Sequence, residues 1–484
     1  MLQLQTPGVA QGAKMQAARL PSAQPSRGSD TPNGPDRAQL LARYDARVPR
    51  YTSYPTALQF DASVTADTYL DWLGALTTSE PVSVYVHIPF CARLCWFCGC
   101  HTRVANRPQT ITDYVGLLRA EAALIERALP PGVWANSLHL GGGTPNLLSR
   151  DDLTGLFALV RHVFRLAPGA EIGAEVDPVS LTEAWVRAAA HHGLSRVSLG
   201  VQDLSAQVQA AVNRREDFET IARSVGWFRA AGVRSVNLDL MYGLPRQRVA
   251  DVVATLDAVL TLEPDRIAMF GYAHVPWLKA HQRLIDAAEL PGASLRLEQS
   301  EAAAERLTRA GYVCIGLDHY ARPDDELARS AVAGRLRRNF QGYVPSAAET
   351  LIGLGVSAIS QTPAGFVQNY ANELQWREAV AAGRAPVARG WALTSEDRFR
   401  GEIIERLMCD LAVDLAEIRR RHGRTAESLG GELAQLAGMQ ADGLIVVEGE
   451  RIEATPLGRP YIRAVCAVFD RHLQPAAGRH APAI

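Results

Sequence analysis

The sequence YVHIPFCARLCWFCGC spans residues 85–100 and holds four of the seven cysteines of the chain. Cys91, Cys95 and Cys98 follow the spacing C-x3-C-x2-C, which places three thiolates on one short loop. Three thiolates can bind three irons of a cubane [4Fe–4S] cluster and leave the fourth iron open to an external ligand. The stretch therefore predicts an iron–sulfur site with one open iron.

Three other interpretations of the same cysteines are weaker. Closed zinc sites usually pair two C-x2-C-like units, and the sequence has no second unit. A disulfide framework is not favoured, because the remaining cysteines are scattered through a long chain. Buried core thiols are not favoured either, because cysteines that alternate with Pro89 and Gly99 do not form a packing stripe.

Composition limits the class of protein. The chain has 484 residues, enough for a large domain and a smaller one, and 47% of them are hydrophobic. Its 50 basic and 51 acidic residues leave a formal charge of −1, so we predict no general nucleic-acid binding. No apolar run reaches the ~18 residues needed to span a bilayer, and the N-terminus lacks the apolar core of a secretory signal. These features predict a cytoplasmic protein in a reducing compartment.

Short β-branched runs alternate with amphipathic helical stretches from residue 82 onward, which predicts an α/β fold built on parallel strands with helical crossovers. The number of units predicts a complete or partial (β/α) barrel, whose active site lies at the C-terminal ends of the strands. The predicted strands are Val82–Ile88, Ser137–Leu140, Glu171–Val176, Arg196–Val201, Ser235–Leu240, Arg266–Tyr272 and Tyr312–Leu317. The predicted helices are Thr110–Leu129, Asp151–Phe164, Leu181–His192, Phe218–Ala231, Val249–Leu262 and Leu295–Ala310.

Polar residues follow several of these apolar strands, where burial is unfavourable unless they are paired or bind a ligand. The run Gly-Gly-Gly-Thr-Pro at 141–145 lets the backbone approach a ligand, and no lysine follows it to bind a phosphate. Glu175, Gln202, Arg214 and Asp239 suit a ligand with ribose, amine and carboxylate groups. Each of the four, taken alone, is more often a structural hydrogen-bonding residue.

The cysteine loop, with Phe97 before its last cysteine, and the glycine run after strand two resemble those of radical S-adenosylmethionine enzymes. The chain is more closely similar to the family of oxygen-independent coproporphyrinogen III oxidases. The stretches that carry this resemblance are Pro49–Ala57, Tyr85–Cys91, Cys98–Cys100, Glu175–Pro178, Gly200–Asp203, Tyr242–Pro245, Asp318–Glu326 and Arg338–Tyr343.

The resemblance implies that Cys91, Cys95 and Cys98 bind the cluster and that its open iron chelates S-adenosylmethionine. It also implies oxidative decarboxylation of two propionates of coproporphyrinogen III to vinyl groups by a 5′-deoxyadenosyl radical, which gives protoporphyrinogen IX. The cofactor carries this chemistry, and the protein supplies position and exclusion of water.

Position by position, the resemblance implies two S-adenosylmethionine molecules in one pocket. The residues expected at the cluster-bound molecule are Tyr85, Gly142, Glu175 and Ile359. The residues expected at the second molecule are Phe97, Gly143, Thr144, Gln202, Arg214, Asp239 and Ala273. Cys100, Tyr85 and His87 are the candidates for direct participation in the reaction, although Cys100 can equally be a packing residue and His87 a buried core histidine.

The domain organisation predicted from the sequence has four parts. Residues 1–37 are predicted to be a disordered tail, residues 38–80 an N-terminal arm, residues 81–390 the barrel and residues 391–484 a smaller, mostly helical domain. Helices followed by a strand–turn–strand at Leu444–Thr455 indicate a winged-helix-like shape. Acids are interleaved with bases there, so packing against the barrel is favoured over DNA binding.

Partners and alternatives complete the prediction. The basic run Arg335–Asn339 can pair with substrate propionates or be a solvated face. An electron donor such as flavodoxin or ferredoxin and a monomeric state are expected. A heme chaperone of the same superfamily and a radical methyltransferase are the alternative functions. A chaperone is expected to lack the Cys98–Cys100 pair, the Tyr51–Ala57 arm and the Asn339–Tyr343 run, which this sequence contains.

Overall fold

The computed structural model describes residues 36–345, 348–425 and 429–473, so nearly all of the predicted tail at 1–37 lies outside the described residues. The strands are β1 (Val82–Ile88), β2 (Phe90–Cys91), β3 (Arg103–Val104), β4 (Ala135–Gly142), β5 (Leu166–Val176), β6 (Arg196–Gln202), β7 (Ser235–Tyr242), β8 (Arg266–Gly271), β9 (Val313–Ile315), β10 (His319–Ala321), β11 (Arg337–Asn339), β12 (Gly342–Val344), β13 (Thr350–Leu354), β14 (Ile359–Thr362), β15 (Gly365–Asn369), β16 (Val387–Ala392), β17 (Ala412–Asp414), β18 (Ile445–Glu448) and β19 (Arg451–Ala454).

The α-helices are α1 (Arg37–Tyr44), α2 (Ala66–Gly74), α3 (Pro108–Ala128), α4 (Arg150–Phe164), α5 (Glu183–His191), α6 (Ala206–Ala211), α7 (Phe218–Ala230), α8 (Val249–Leu260), α9 (Ala293–Arg309), α10 (Glu326–Val332), α11 (Glu373–Ala381), α12 (Ser395–Asp410), α13 (Leu415–Arg421), α14 (Gly430–Ala441) and α15 (Ile462–Val468). Short 3-10 helices span Pro145–Leu147, Ala280–Leu284, Ala287–Glu289 and Arg459–Tyr461.

One large sheet has the strand order β16-β15-β14-β13-β1-β4-β5-β6-β7-β8-β10-β9. The seven strands from β13 to β8 in this order are parallel to one another. Antiparallel strands extend the sheet at both edges. The predicted α/β fold with a partial barrel is confirmed. The six predicted crossover helices are α3, α4, α5, α7, α8 and α9, and each observed end lies within two residues of the predicted one.

Strand β1 shows why the sheet separates a core from a cavity. Val82, Val84 and Val86 are 2%, 0% and 0% exposed and pack under the helices. The alternate residues of β1 point to the other face, where the hydroxyl of Ser137 donates to that of Ser83 at 2.9 Å. Because side chains alternate along a strand, an apolar outer face and a polar inner face follow from one sequence. The inner face of the parallel sheet is therefore polar, which suits a ligand cavity.

Two strands of the large sheet depart from the prediction. The seventh predicted strand, Tyr312–Leu317, is shortened to β9, which pairs with β10 and not with β8. Only three residues join β9 to β10, too few for a helical crossover, so the pair forms an antiparallel hairpin. The other neighbour of β1 is β13, which the sequence analysis did not identify. It has only five residues, all buried, and so lacks the alternation that marks a half-exposed strand.

The predicted strand–turn–strand near residue 445 is confirmed by β18 and β19, which pair antiparallel and complete a three-stranded sheet with β17. Helices α12 to α15 surround this sheet and form a second hydrophobic core. Leu297 of α9 belongs to that core, so this region packs against the barrel, as expected. None of the helices in the described part of the chain is long and apolar enough to cross a lipid bilayer.

The N-terminal arm is tied to the far end of the chain. Tyr51 and Tyr54 are buried in the C-terminal core. The Tyr51 hydroxyl donates to Asp470 at 3.1 Å, and the amide of Arg471 donates to the Tyr54 hydroxyl at 3.1 Å. Arg50, which precedes Tyr51, instead donates to the carbonyl of Gly271 at the end of β8, at 2.7 Å. The arm therefore bridges the C-terminal region and the site end of the barrel.

Candidate active site

The cysteine loop leaves the C-terminal end of β1 and is fixed to the sheet at its base. Strands β2 and β3 pair in parallel, and the amide of Arg103 donates to the Pro89 carbonyl at 2.8 Å. Further along, the Trp96 amide donates to the Val212 carbonyl at 3.0 Å, and the Asn213 side chain donates to the Leu94 carbonyl at 2.9 Å. The backbone of the loop is thus held by Val212 and Asn213, which follow β6.

The segment after β8 holds the other side of the loop. The side chains of three residues donate to loop carbonyls: His281 to Cys98 at 2.8 Å, Gln282 to Phe97 at 2.9 Å, and Lys279 to Cys100 at 2.9 Å. The Gln282 amide also donates to the carbonyl of Ala273 at 3.2 Å, which links that predicted residue to Phe97. Sequence reasoning missed these three residues. Their polar side chains directly after a predicted strand were the available signal.

The thiols of the loop lie among hydrogen-bond donors. Burial raises the pKa of Cys91 to about 11, against the hydrogen bond from the Thr144 hydroxyl, which lowers it. A hydrogen bond with Cys100 lowers the pKa of Cys98 to about 6, and the same bond raises the pKa of Cys100. Nη1 of Arg214 donates to Sγ of Cys95 at 3.4 Å. Cysteine sulfurs that accept hydrogen bonds are suitable ligands for the irons of an iron–sulfur cluster, so these residues fit the predicted cluster.

Among the described residues, no three His, Cys, Asp or Glu side chains converge closely enough to hold a single metal ion. A cubane does not require such convergence, because each cysteine binds a different iron.

Arg214 sits in a buried ion cluster under the loop. It lies 3.2 Å from Asp177 and 3.4 Å from Glu216, and it donates to the Gly200 carbonyl at 2.5 Å. Arg93 of the loop lies 3.3 Å from the same Asp177 and 3.7 Å from Glu216. Two arginines and two carboxylates therefore join the loop to the end of β6. Most N–H donors of Arg214 are used in contacts within the protein, so the observed contacts of this residue stabilise the loop and the end of β6.

Tyr85, His87, Gly142 and Glu175, all predicted site residues, are brought together. The Tyr85 hydroxyl donates to Nδ1 of His87 at 3.0 Å, and Nε2 of His87 donates to the His101 carbonyl at 2.8 Å. Burial lowers the pKa of His87 to about 4, so its ring is neutral near pH 7. The Gly142 amide donates to Glu175 at 2.9 Å.

Glu175 combines depth with access. It is the next-to-last residue of β5, and 42% of its side chain is accessible. Burial alone would raise its pKa, but hydrogen bonds from His139 at 3.4 Å and from the Gly142 amide leave the net pKa below the usual value. The carboxylate is therefore ionised and accessible to a ligand. An accessible anion of this kind fits the ammonium or ribose diol of S-adenosylmethionine.

The glycine run is explained by close packing as well as by ligand access. A Cβ on Gly142, at φ +109°, would lie 2.4 Å from the His87 ring. A Cβ on Gly143 would lie 2.6 Å from the Phe90 carbonyl oxygen. The amides of Gly143 and Thr144 donate to the carbonyls of Ile88 and Phe90 at 2.8 and 2.7 Å. Because these two amides are used to hold the start of the cysteine loop, a ligand beside the glycine run would contact backbone carbonyls and side chains instead.

Three more of the predicted residues, Gln202, Asp239 and Ile359, lie at or beside strands of the large sheet. Gln202 has φ +69°, a strained conformation for a residue with a side chain, which is typical of functional sites. Asp239 accepts hydrogen bonds from Ser198 and Asn237, both at 2.7 Å, and burial raises its pKa to about 6. Ile359 adjoins Gly353, whose neighbour across the sheet is Tyr85.

A deeper ion pair that the sequence analysis missed lies below Glu175. Arg196 lies 2.9 Å from Glu171 and donates to Nδ1 of His139 at 3.3 Å. Residues of this group line a cavity of about 340 Å³ at the opposite end of the strands. Their signal was the alternation of charged residues with apolar ones within strands otherwise typical of a buried sheet.

Comparisons with known proteins agree with this geometry. A model of the radical SAM superfamily matches residues 85–259, and a model of the HemN C-terminal domain matches residues 393–461. The oxygen-independent coproporphyrinogen III oxidase of Bradyrhizobium diazoefficiens is 42% identical over 449 residues, which cover 93% of this chain and 100% of that protein.

A relative from Escherichia coli adds a structural comparison. The oxygen-independent coproporphyrinogen III oxidase of that organism is 39% identical over 440 residues, which cover 90% of this chain and 96% of that protein. A solved structure of the E. coli enzyme, described as a radical SAM enzyme, superposes with a TM-score of 0.84 at 37% identity. It covers 88% of this chain and 100% of the solved one.

Proposed function

Because this chain belongs to the family of oxygen-independent coproporphyrinogen III oxidases, we propose that it converts two propionates of coproporphyrinogen III to vinyl groups and forms protoporphyrinogen IX. Each conversion removes one hydrogen atom, one electron and CO2 from a propionate. The observation that carries the proposal is the placement of the three-cysteine loop beside the accessible, ionised Glu175 at the C-terminal end of the parallel strands.

Cys91, Cys95 and Cys98 would hold a [4Fe–4S] cluster. When bound, the cluster and S-adenosylmethionine supply the one-electron chemistry that removes a hydrogen atom from the propionate. The chain fixes the loop through the contacts of Lys279 and His281 on one side. Arg214 fixes it on the other side through Cys95.

Two sets of residues would bind S-adenosylmethionine, one molecule each. Glu175 would accept hydrogen bonds from an ammonium or a ribose of the first molecule, beside Tyr85, Gly142 and Ile359. The second set would bind the second molecule beside the first and consists of Phe97, Gly143, Thr144, Gln202, Arg214, Asp239 and Ala273.

Tyr85, His87 and Cys100 are the residues we place nearest the reaction. His87 is neutral near pH 7 and uses both ring nitrogens within the protein, so its role is to orient Tyr85 and not to supply a proton. Cys100 is exposed and hydrogen-bonded to Cys98, so it would be a thiol beside a cluster ligand.

The proposal extends to organisation and partners. Residues 38–80 form the arm, residues 81–390 the barrel domain and residues 391–484 the C-terminal domain. The enzyme acts as a cytoplasmic monomer that does not bind nucleic acid and receives electrons from a flavodoxin or a ferredoxin.

An anaerobic assay tests the function. The reconstituted protein, given S-adenosylmethionine, a reductant and coproporphyrinogen III, is expected to form protoporphyrinogen IX and CO2. Cys95→Ala should abolish turnover, whereas Cys314→Ala, which changes a half-buried thiol away from the loop, should retain it. Tight heme binding without protoporphyrinogen would favour a heme chaperone, and a methylated product would favour a methyltransferase. Either result, or full activity of Cys95→Ala, would overturn the proposal.

A further inference from the structure

Several arginines meet at the C-terminal ends of β7 and β8. Arg50 of the arm donates to the Gly271 carbonyl at 2.7 Å. Arg296 of α9 lies against the same residue, with Nη2 only 3.4 Å from the place where a Cβ on Gly271 would stand. Arg338 of β11 donates to the backbone carbonyl of Arg50 at 3.4 Å. Three guanidinium groups from three distant parts of the chain therefore share one place at the site end of the barrel.

Positive charge exceeds negative charge at this place. Asp318 interacts with Arg50 and Arg338, and it also accepts a hydrogen bond from His319 at 2.7 Å. Asp45 lies near Arg296. A fourth arginine, Arg463, is 7% exposed and interacts with both Arg50 and Arg296. Burial and these like charges lower the pKa of Arg463 to about 10. Like charges in a buried cluster are unfavourable unless an anion joins them.

Two of the three arginines have buried donors without an acceptor. Nε of Arg296, and Nε and Nη1 of Arg338, are buried and find no hydrogen-bond partner among the described residues. The Arg338 guanidinium also lies over the Tyr343 ring, with 4.3 Å from its central carbon to the ring centroid. A buried guanidinium donor left without an acceptor is destabilising. Its planar fork fits the two oxygens of a carboxylate.

We propose that Arg50, Arg296 and Arg338 bind a propionate of coproporphyrinogen III that is retained in the product. The inference rests on the proposed function, because the substrate supplies the carboxylates. Of the arginines in the predicted basic run, only Arg338 belongs to this site. Arg335 is exposed, and Arg337 pairs with Glu405 at 3.0 Å.

The chemistry explains why the retained propionates are assigned to this site. A reacting propionate loses its negative charge as neutral CO2. Arginines bound to that carboxylate would stabilise the substrate more than the transition state and slow the reaction. Arginines bound to a carboxylate that does not react stabilise both states equally, so they contribute affinity and orientation without this penalty. A site with an excess of guanidinium groups is therefore suited to a retained carboxylate.

The test uses Arg296→Gln and Arg338→Gln, with Arg335→Gln on the same segment as the control. The first readout is equilibrium binding of coproporphyrin III to the full-length protein, followed by porphyrin fluorescence, which needs no turnover. Each site variant should weaken binding about 10- to 100-fold, as expected for a lost charge-assisted hydrogen bond. Arg296→Lys should recover part of the loss. The control should bind as the unchanged protein does.

A second probe identifies which propionates are bound. Mesoporphyrin IX keeps only the two retained propionates and carries ethyl groups at the reacting positions. Under our inference the site variants weaken its binding as much as that of coproporphyrin III. Mesoporphyrin binding that does not change in the variants would overturn the inference. So would equal losses in the Arg335→Gln control.

Kinetics separates this inference from the proposed function. In the anaerobic assay the site variants should raise KM for coproporphyrinogen III and leave kcat within about threefold, since a positioning contact equal in both states affects KM alone. A fall in kcat with KM unchanged would overturn the inference. If the unchanged protein forms no protoporphyrinogen, the proposed function fails, and the two binding titrations still decide whether the arginines bind carboxylates.

Discussion

Gly142→Ala is expected to destabilise the protein strongly, and the structure gives the size of the effect. The residue has φ +109°, a conformation that costs a residue with a side chain about 1–3 kcal/mol. The new Cβ would lie 2.4 Å from Cε1 and 2.5 Å from Nδ1 of His87, so the ring must move. Movement breaks its hydrogen bonds with Tyr85 at 3.0 Å and His101 at 2.8 Å, about 0.5–1.5 kcal/mol each. The sum is about 2–6 kcal/mol.

Urea unfolding of the apoprotein in reducing buffer measures this loss, and two glycines serve as controls. Gly169 also has positive φ, at +78°, but a Cβ there meets nothing within 4 Å, so Gly169→Ala isolates the backbone term. Gly116 lies within α3 with nothing within 4 Å, and Gly116→Ala should stabilise by about 0.5–1 kcal/mol. If Gly142→Ala lowers the free energy of unfolding no more than Gly169→Ala does, the argument from crowding against His87 is refuted.

Three further predictions concern the same site. Glu175→Gln should weaken S-adenosylmethionine binding to the reconstituted enzyme about 10-fold or more by calorimetry, because a charge-assisted contact is lost; unchanged affinity would remove Glu175 from the site. Burial lowers the pKa of His87 from 6.5 to about 4. The folded state therefore has its full stability above pH 6.5, where the ring is neutral, and about 3 kcal/mol of unfolding free energy is lost as the pH falls through 4. His87→Gln should flatten that part of the stability–pH curve, and an unaltered curve would contradict the burial argument. Arg214→Met leaves Asp177 and Glu216 without this cation and should cost about 3–5 kcal/mol in unfolding free energy. Arg214→Lys should cost less, and equal losses would show that charge is not the cause.

Local patterns in the sequence predicted most of the barrel. Alternating β-branched and amphipathic runs gave the six strands from β1 to β8 that carry the site and the crossover helices between them, because each pattern reflects which face is buried. The short strands outside this run were less predictable. β13 has five residues that are all buried, so it shows no alternation, and the reversal at β10 depends on a three-residue connection whose geometry a pattern does not reveal.

Long-range placement decided which parts of the site could be predicted. The three cysteines predicted to bind the cluster are local in sequence, so their spacing was informative. Arg50 and Arg296 meet at Gly271 although they come from an arm and a distant helix, and no local pattern connects them. The glycine run was interpreted as access for a ligand, whereas packing against His87 and the Phe90 carbonyl also requires Gly142 and Gly143.

The packing of the arm on the C-terminal core sets an order of events during synthesis. Tyr51 leaves the ribosome early, but its partner Asp470 follows 419 residues later, which takes roughly 20–80 s at ordinary elongation rates. The contacts that fix the cysteine loop come from residues before 283, so that part of the nascent chain can be complete first. Tyr51 and Tyr54 can complete their contacts with Asp470 and Arg471 only when translation is nearly finished. A transcript truncated before Asp470 would thus yield a protein with its cysteine loop supported and without these contacts between the arm and the C-terminal core.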